Sequence, residues 1–250
     1  EFIGNVSRDP GTHHFRGLDN PGLVSSVRAW RPDTILLFGY AYWSHLSLLL
    51  SPALRHVPVI LRGDSHNLCR PTGFRQALLR RLRRVLLARV NAFLAVGKAN
   101  EGYFLELARS PSSVFRAPHF VDNARFREAE STARRAAVAW RRDLGIADDT
   151  FVIGFVGKLE EKKRPQDLLR AFAGLSSGDA KPGRPAVALL FVGAGHLERS
   201  LRDEADRLGL SQVHFAPFQN QTQMPKVYAA LDLLVLPSSS ETWGLCVNEA

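Results

Sequence analysis

Short apolar segments alternate with longer segments of helical periodicity along most of the chain. The apolar segments fall at 35–39, 58–61, 92–96, 114–117, 151–156, 186–192, 213–215 and 233–236. Between them, apolar residues recur at the spacing of one helix face, as at Leu168, Leu169 and Phe172. Strands that alternate with helices form parallel sheets with helices on both faces. The sequence therefore predicts an α/β fold.

A single interruption divides this pattern into two series. Residues 118–123 break the alternation, and a helix is predicted over 124–142. We therefore predict two Rossmann-like domains with parallel sheets, residues 1–122 and residues 123–250. Residues 1–34 are rich in Gly, Pro, Asn, Asp and Ser and are predicted as loops. Because the chain begins with Glu and ends in the first turns of a predicted helix, we expect both domains to be incomplete.

Charge, apolar runs and cysteine content indicate what kind of partner and compartment to expect for the protein. Lys and Arg total 33 against 24 Asp and Glu, a net charge of +9, which favours anionic partners. Apolar runs long enough to span a membrane, about 18 residues or more, are missing from the sequence. Cys69 and Cys246 lie far apart without metal-ligand spacing, which favours reduced thiols in a cytoplasmic protein.

The most informative motif is residues 236–250, Leu-Pro-Ser-Ser-Ser-Glu-Thr-Trp-Gly-Leu-Cys-Val-Asn-Glu-Ala. Glu241 follows a predicted buried strand, Gly244 opens the next helix, and Glu249 lies in its second turn. A helix N-terminus behind a glycine favours phosphate, and carboxylates can accept hydrogen bonds from ribose and sugar hydroxyls. The alternative is that Glu241 caps the helix and Glu249 is solvated. The complete order of strand, turn, glycine and carboxylates favours a sugar-nucleotide site.

A second motif, residues 155–165, reads Phe-Val-Gly-Lys-Leu-Glu-Glu-Lys-Lys-Arg-Pro. A strand ends at Val156, Gly157 allows a turn, and Lys158 and Lys163 stand near the start of the next helix. Cations held at a strand end can stabilise the charge that develops on a departing diphosphate. A solvated lysine cluster is the alternative for this segment taken alone.

Together the two motifs resemble the donor-site motifs of retaining glycosyltransferases of family 4. That family carries a Gly-basic-Leu turn, a second Lys five residues after the basic one, and a Glu-x7-Glu motif. Lys158 stands where many members have Arg, and Trp243 replaces the commoner Phe. The resemblance implies donor-binding roles for Gly157, Lys158, Lys163, Gly244, Leu245 and Glu249. Within that set, the two lysines hold the diphosphate, the backbone at 244–245 contacts the phosphates, and Glu249 contacts the ribose hydroxyls.

The resemblance also implies a reaction and a domain plan. The family has the GT-B fold, with the donor bound by the C-terminal domain and the acceptor mostly by the N-terminal one. A hexosyl group moves from a nucleotide-diphosphate sugar, with retention, to a saccharide or lipid-linked hydroxyl acceptor in polysaccharide or glycolipid assembly. Glu241 is the residue implied to contact the donor sugar. Because an Asp-x-Asp motif is missing, we expect a metal-independent enzyme without a further cofactor.

In the first half, residues 62–66 follow a predicted strand at the place of a His-containing family loop. Asp64 and His66 are therefore candidate catalytic residues that position the sugar or the acceptor, with Arg62 and Arg70 as phosphate or acceptor contacts. A hydrogen-bonded turn that ends a strand is the alternative.

The predicted helix over residues 74–90 combines an apolar face, at Leu79, Leu82, Leu86 and Val90, with many arginines. Such a helix can lie on an anionic membrane surface, which would place the protein peripherally at the inner face of a membrane. The exposed face of an ordinary Rossmann helix is the alternative. Nucleic acid is not expected, because the cationic part lacks the aromatic residues on which bases stack.

Two other functions are compatible with the same sugar-nucleotide site. One is a non-catalytic sugar-nucleotide-binding or scaffold protein, and the other is a sugar-nucleotide epimerase of the same fold. A dehydrogenase is disfavoured, because Glu198 occupies the third glycine position of the Gly193-Ala-Gly195 turn.

Overall fold

The chain folds into two compact units. The computed structural model describes residues 2–11, 14–67, 73–176 and 185–250. Contacts within the chain group it into Glu1–His119 and Phe120–Ala250. The described residues of each unit form a four-stranded sheet in which every pair of neighbouring strands is parallel. The predicted α/β class with two Rossmann-like sheets is confirmed, while the donor and acceptor roles of the two units stay predictions.

The first unit arranges its strands in sequence order, β1-β2-β3-β4. Leu37, Leu61 and Phe93, from three successive strands, lie in one buried cluster with Leu87 and Phe104. Its strands are β1 (Ile35–Phe38), β2 (Val59–Gly63), β3 (Ala92–Ala95) and β4 (Val114–Arg116), and its helices are α1 (Leu23–Trp30), α2 (Trp43–Leu50), α3 (Phe74–Leu86) and α4 (Lys98–Leu107). Short 3-10 turns lie at Pro52–Leu54, Leu87–Arg89 and Pro111–Ser113.

One expectation for this unit was wrong. Residues 1–34 were predicted as loops, but α1 lies within them, because Leu23, Val24 and Val27 form an apolar face that packs on the core. The apolar face predicted over residues 74–90 is divided in the structure: Leu79 and Leu86 are half-buried, Val90 is buried and Leu82 is exposed. After Leu86 the α3 helix tightens into a 3-10 turn in which Leu87 is buried.

The second unit has the strand order β7-β6-β5-β8. Its strands are β5 (Phe151–Val156), β6 (Val187–Val192), β7 (Val213–Ala216) and β8 (Leu233–Leu234), and its helices are α5 (Asn123–Asp143), α6 (Pro165–Ser176), α7 (Glu198–Arg207), α8 (Met224–Ala229) and α9 (Leu245–Glu249). Short 3-10 turns lie at Glu161–Lys163 and Gln221–Gln223.

Strand residues of the second unit alternate between two buried layers. Ile153 and Phe155 of β5 lie in the cluster that contains apolar residues of α6 and α7. Val152 and Val156 lie in the cluster that includes residues of α5 and α8. This period of two is the side-chain alternation of a strand covered on both faces. It explains why residues 151–156 are almost continuously apolar.

The order of the strands reverses at one point of this sheet. From β5 the chain builds outward through β6 and β7, and then it returns to place β8 on the other side of β5. The loops that follow β5 and β8 therefore leave neighbouring strands at the carboxyl end of the sheet. Open α/β sheets bind their ligands at such a reversal, outside the carboxyl ends of the strands.

A largely buried arginine forms hydrogen bonds at the amino-terminal ends of β5 and β8, opposite the reversal. Arg141, near the end of α5, has a side chain only 12% exposed. Its guanidinium donates to the carbonyls of Ala230 (2.9 Å) and Thr150 (3.3 Å) and to the Asp232 carboxylate (2.7 Å). The same carboxylate oxygen accepts the backbone N–H of Val152 at 2.7 Å. These bonds tie α5 to the amino-terminal ends of β5 and β8.

We predict that Arg141→Ala lowers the free energy of unfolding of the second unit by about 2–3 kcal/mol, because hydrogen bonds to charged groups contribute roughly 1.5–3 kcal/mol. The matched control is Arg134→Ala on the same helix, which removes an exposed pair with Glu130 and should cost at most about 0.5 kcal/mol. Urea unfolding followed by circular dichroism measures both. Equal losses in the two variants would contradict the anchoring role.

Candidate functional site

The two sequence motifs meet at the carboxyl ends of β5 and β8. The Ser239 backbone N–H donates to the carbonyl of Lys162 at 2.9 Å, and the Ser239 hydroxyl donates to the same carbonyl at 3.2 Å. Lys162 belongs to the loop after β5, and Ser239 belongs to the loop after β8. These bonds hold the two loops together at the reversal of strand order. The structure thus brings together segments about eighty residues apart in sequence, as the Rossmann-like fold would require.

Local backbone geometry places Lys163 at this point. The 3-10 turn Glu161–Lys163 ends at Arg164, which has a left-handed conformation (φ 50°). Pro165 then begins α6, at the helical position that tolerates the missing N–H of proline. A left-handed residue other than glycine costs about 1–2 kcal/mol, so the surrounding contacts must hold it in place. Lys163 is consequently the last residue of a sharply ended turn rather than part of a long helix.

Lys163 and Glu241 form an ion pair between the two loops. The Lys163 ammonium donates to Glu241 Oε2, and the two side chains are 20% and 25% exposed. The other carboxylate oxygen, Oε1, accepts the backbone N–H of Thr242 at 3.2 Å, and the Ser238 hydroxyl lies 3.4 Å from Oε2. Lys163 was predicted to bind diphosphate and Glu241 to contact the sugar. Their direct contact places both candidate residues in one site.

Two opposing effects set the pKa of Glu241. Burial by itself would raise the pKa of this carboxyl, but the hydrogen bond and the charge of Lys163 outweigh burial. The Thr242 N–H and the charge of Lys162 act in the same direction, so the pKa lies below its ordinary value. Glu241 is therefore ionised at neutral pH and can only accept hydrogen bonds.

Lys158 presents a second cation at the same strand end. It follows Gly157 directly after β5 and its side chain is exposed. Among the residues that the structure describes, no carboxylate forms an ion pair with its ammonium. Its charge is therefore open to an anionic ligand, whereas the charge of Lys163 is already shared with Glu241.

Glycines allow the turn after β6 to press against the turn after β5. Gly193 has φ 145°, and a Cβ placed there would lie 2.0 Å from the carbonyl oxygen of Gly157. A Cβ at Gly195 would lie 2.2 Å from the carbonyl oxygen of Leu159. The Leu159 N–H donates across this contact to the Ala194 carbonyl at 3.1 Å. These glycines therefore serve to hold the Lys158 loop in position by close backbone packing.

The second carboxylate of the motif lies where the sequence placed it. Gly244 (φ 79°) precedes α9, and Glu249 occupies the second turn of that short helix. The Tyr228 hydroxyl donates to Glu249 Oε2 at 2.7 Å. Burial first, and then the bond to Glu249, raise the pKa of Tyr228, so the hydroxyl keeps its proton and remains a donor. Ligand-binding roles for Gly244, Leu245 and Glu249 stay predictions.

Sequence reasoning missed Tyr228 and Ser238 as partners of the two carboxylates. Tyr228 lies in α8 among apolar residues and reads as a core position, so nothing in its local pattern points to Glu249. Ser238 did carry a signal, because it belongs to the serine-rich turn directly before Glu241. Serine hydroxyls in such turns commonly bond to nearby groups.

In the first unit, Asp64 and His66 follow β2. Asp64 is exposed and His66 is half-buried. Asn100, which is buried, fixes the loop between them: its side chain donates to the Ser65 carbonyl at 2.6 Å and accepts from the Val96 N–H at 3.0 Å. This loop is therefore held by Asn100 of α4, whose side chain also bonds to Val96 directly after β3.

A cavity of about 490 Å³ opens at the carboxyl ends of β1 and β2. Its lining includes Tyr40, Arg62, Asp64, Arg83 and His119. The guanidinium of Arg62 donates to the Ala117 carbonyl at 3.1 Å and so lies fixed at the cavity wall. Arg70, a predicted phosphate or acceptor contact in this region, lies outside the described residues. Cys69, predicted as a reduced thiol, also lies outside them.

The family model described as "Glycosyl transferases group 1" matches residues 138–250. The match lies entirely within the second unit and covers less than half of the chain. The resemblance to retaining glycosyltransferases of family 4 is confirmed. The matched residues contain the complete site at β5 and β8, including Lys158, Lys163, Glu241 and Glu249.

Curated proteins similar to this chain include D-inositol 3-phosphate glycosyltransferases. The protein of Segniliparus rotundus is 34% identical over 171 residues, which are 66% of this chain and 36% of the relative. That of Saccharomonospora viridis is 37% identical over 146 residues, 56% of this chain and 32% of the relative. The chain thus spans about a third of the length of these curated relatives.

Solved structures support the fold. Anabaena HepE in complex with UDP and glucose superposes with a TM-score of 0.66 at 20% identity, covering 92% of this chain and 60% of HepE. An α,α-trehalose-phosphate synthase (UDP-forming) from Burkholderia xenovorans has a TM-score of 0.66 at 14% identity, covering 90% and 57%. At these identities the likeness shows the fold alone, and the predicted GT-B fold is confirmed.

The described residues carry neither a metal cluster nor a membrane-spanning helix. Within them, no group of three or more His, Cys, Asp or Glu side chains is arranged to hold a metal ion. None of their helices has the length and hydropathy needed to cross a membrane. Independence from metal in the reaction stays a prediction.

The glycine contact gives a prediction about stability. We expect Gly193→Ala to lower the free energy of unfolding by about 2 kcal/mol or more, because its φ is unfavourable for alanine and its Cβ would overlap the Gly157 carbonyl. The control is Gly174→Ala in α6, where the added methyl meets nothing within 4 Å, so helix propensity should raise stability by up to about 1 kcal/mol. Changes of the same sign in urea unfolding would refute the close packing of the two turns.

Proposed function

We propose that the protein is a retaining glycosyltransferase that moves a hexosyl group from a nucleotide-diphosphate sugar to a hydroxyl acceptor in polysaccharide or glycolipid assembly. The observation that carries this proposal is the Lys163–Glu241 pair at the reversal of strand order, inside the region that matches the family. It joins a cation suited to diphosphate with an ionised carboxylate suited to sugar hydroxyls. UDP is the first nucleotide to test, because structural neighbours were solved with UDP or UDP-glucose.

In this proposal the leaving diphosphate is stabilised by positive charge rather than by metal. Lys158 and Lys163 approach the phosphates beside the Gly157 turn, and the backbone N–H groups at Gly244 and Leu245 add donors. Negative charge grows on the diphosphate as the glycosidic bond breaks, and fixed cations then lower the barrier. Lys163 is poised for this role because it already stands next to the carboxylate that would hold the sugar.

Glu241 and Glu249 divide the recognition of the donor. Glu241 accepts hydrogen bonds from hydroxyls of the transferred sugar, which holds the anomeric carbon near the lysines. Glu249 accepts hydrogen bonds from the ribose diol. The bond from Tyr228 occupies Oε2 of Glu249, so Oε1 and the remaining lone pairs are left for the ribose. Tyr228 is therefore a positioning residue.

The acceptor hydroxyl attacks on the face from which the diphosphate leaves, so the anomeric configuration is retained without a protein nucleophile.

We propose that the first unit binds the acceptor, a saccharide or a lipid-linked sugar, at the cavity beside Asp64. Asp64 and His66 then position the acceptor or the transferred sugar. Arg62 supplies a cation at the cavity wall for an acceptor that carries phosphate. The accompanying location is the cytoplasm, at the inner face of a membrane.

The first test is calorimetric titration of the purified protein with UDP and with GDP, without divalent metal. We expect one nucleotide to bind with a dissociation constant on the order of micromolar, since fixed cations and carboxylates recognise both ends of the ligand. Lys163→Ala and Glu249→Ala should each weaken binding by about tenfold or more, corresponding to about 1.4 kcal/mol. Glu241→Ala should leave the affinity for the nucleotide unchanged, but it should abolish most of the sugar transfer.

The matched control is Arg207→Ala. It also removes one positive charge, but Arg207 ends α7 at the opposite edge of the sheet and is exposed. Its nucleotide affinity should equal that of the wild type. A folded wild-type protein that binds neither nucleotide would refute the transferase function. Binding with no transfer or hydrolysis of any donor sugar would instead support the scaffold alternative.

A separate prediction concerns Tyr228. If Glu249 holds the ribose and Tyr228 holds Glu249, the wild type should prefer UDP over 2′-deoxy-UDP by about tenfold, the contribution of a hydrogen bond to a charged group. This preference should disappear in Glu249→Ala and shrink in Tyr228→Phe, which keeps the buried ring. Tyr103→Phe, which removes a tyrosine hydroxyl in the first unit, is the control. An unchanged preference in Tyr228→Phe would show that Tyr228 has only a packing role.

A further inference from the structure

A second cavity, of about 1050 Å³, opens in the first unit at the end opposite to the cavity beside Asp64. Its lining includes Asp33, shortly before β1, and His56, shortly before β2. It therefore lies at the amino-terminal ends of these two strands, whereas the cavity beside Asp64 lies at their carboxyl ends. Its volume is that of a site for a small molecule rather than for a single ion.

The polar side chains of this cavity are mostly cationic or able to donate. Arg28 lies in the last turn of α1, Arg31 caps that helix, and His56 comes from the segment before β2. Within the described part of the chain, no carboxylate forms an ion pair with any of these three side chains. Asp33 is the one acidic residue that the described residues contribute to the lining. The two arginines are therefore open to an anionic ligand.

The backbone at Arg31 would suit a different residue. Arg31 has a left-handed conformation (φ 49°, ψ 55°), and its N–H ends the helix by donating to the Arg28 carbonyl at 3.2 Å. Glycine is the usual residue at such a helix end, because a side chain opposes this conformation. An arginine thus occupies a position where the fold alone favours glycine, which indicates a use for its guanidinium.

A further guanidinium lies directly behind the cavity wall. Arg89 donates through Nη2 to the carbonyl of Leu54 and, at 3.2 Å, to that of Val57, and both of these residues line the cavity. Its Nε and Nη1 atoms are buried without a hydrogen-bond partner among the described residues. Buried charges in proteins are ordinarily paired. An anion in the cavity would supply negative charge close to Arg89.

We propose that this cavity binds a sugar phosphate, with the phosphate held by Arg28 and Arg31. The planar guanidinium group matches two phosphate oxygens at once. Asp33 accepts hydrogen bonds from sugar hydroxyls, and the His56 ring offers a further polar partner. Apart from that imidazole, the described lining has no aromatic ring on which a nucleobase would stack, which favours a sugar phosphate over a nucleotide. This site is distinct from the proposed donor and acceptor sites and does not rest on the proposed function.

The test combines calorimetry with hydrogen exchange, using fructose 6-phosphate, fructose and inorganic phosphate as probes. Fructose 6-phosphate should bind about tenfold or more tightly than either half alone, because the cavity contacts both parts of the ligand. Amide exchange followed by mass spectrometry should slow at residues 22–33 and 53–57, and it should not change at residues 62–65 or 157–164. Arg28→Ala should weaken binding about tenfold, the contribution of a hydrogen bond between charged groups.

Arg31→Gly should move two properties in opposite directions. Loss of the guanidinium should weaken the binding of fructose 6-phosphate about tenfold. Glycine at the left-handed position should at the same time raise the midpoint of urea unfolding. A variant that merely damaged the fold would lower both the affinity and the midpoint, so this substitution separates a binding role from a structural one.

The matched control is Arg109→Ala, which removes an exposed arginine shortly before β4, at the other edge of the same sheet. Its affinity for fructose 6-phosphate should equal that of the wild type. UDP affinity should be unchanged in all three variants, so failure of this proposal is distinguishable from failure of the proposed function. No binding of fructose 6-phosphate, an affinity equal to that of inorganic phosphate, or slowed exchange at residues 62–65 instead of 22–33 would overturn the proposal.

Discussion

The placement of β8 beside β5 is the constraint on which the rest of the second unit depends. Parallel pairing puts the carboxyl ends of both strands at one edge of the sheet. Because the two strands are neighbours, the loops that follow them start side by side. The bonds between Ser239 and Lys162 then fix the spacing of the two loops. Lys163 and Glu241 meet as a consequence of topology, although neither loop alone could bring them together.

The resulting ion pair has a physical cost and a use. Lys163 and Glu241 are both largely removed from water, and their mutual attraction compensates for the lost hydration. Because the folded pKa of Glu241 is lowered, the stabilisation is fully present above the pKa of the unfolded carboxyl. It is lost as the pH falls through the folded value. Near neutral pH the pair keeps both charges in place, which the proposed binding of a diphosphate and a sugar requires.

The sequence predicted the fold well because its signals were local. Apolar runs of strand length, the helix start at Pro165 and the order of the C-terminal motif each act over a few residues. The contacts that complete the site are different in kind. Tyr228 reaches Glu249, and Gly193 meets Gly157, through tertiary packing that leaves no spacing signal in the sequence. The error at α1 has a related cause, since the composition of a segment cannot show which of its sides packs against the core.

The excess positive charge is carried by different residue types in the two units. At the β5 strand end it is carried by lysines, compact cations on flexible stems that suit the phosphate group of the proposed donor, which must later depart. Along α3 it is carried by arginines, whose planar guanidinium groups donate to several acceptors at once. Arg84 is anchored by a carbonyl, whereas Lys158 is exposed without a carboxylate partner among the described residues. A guanidinium held by a carbonyl is committed to a structural contact, whereas an ammonium without a carboxylate partner is open to the diphosphate of the proposed donor.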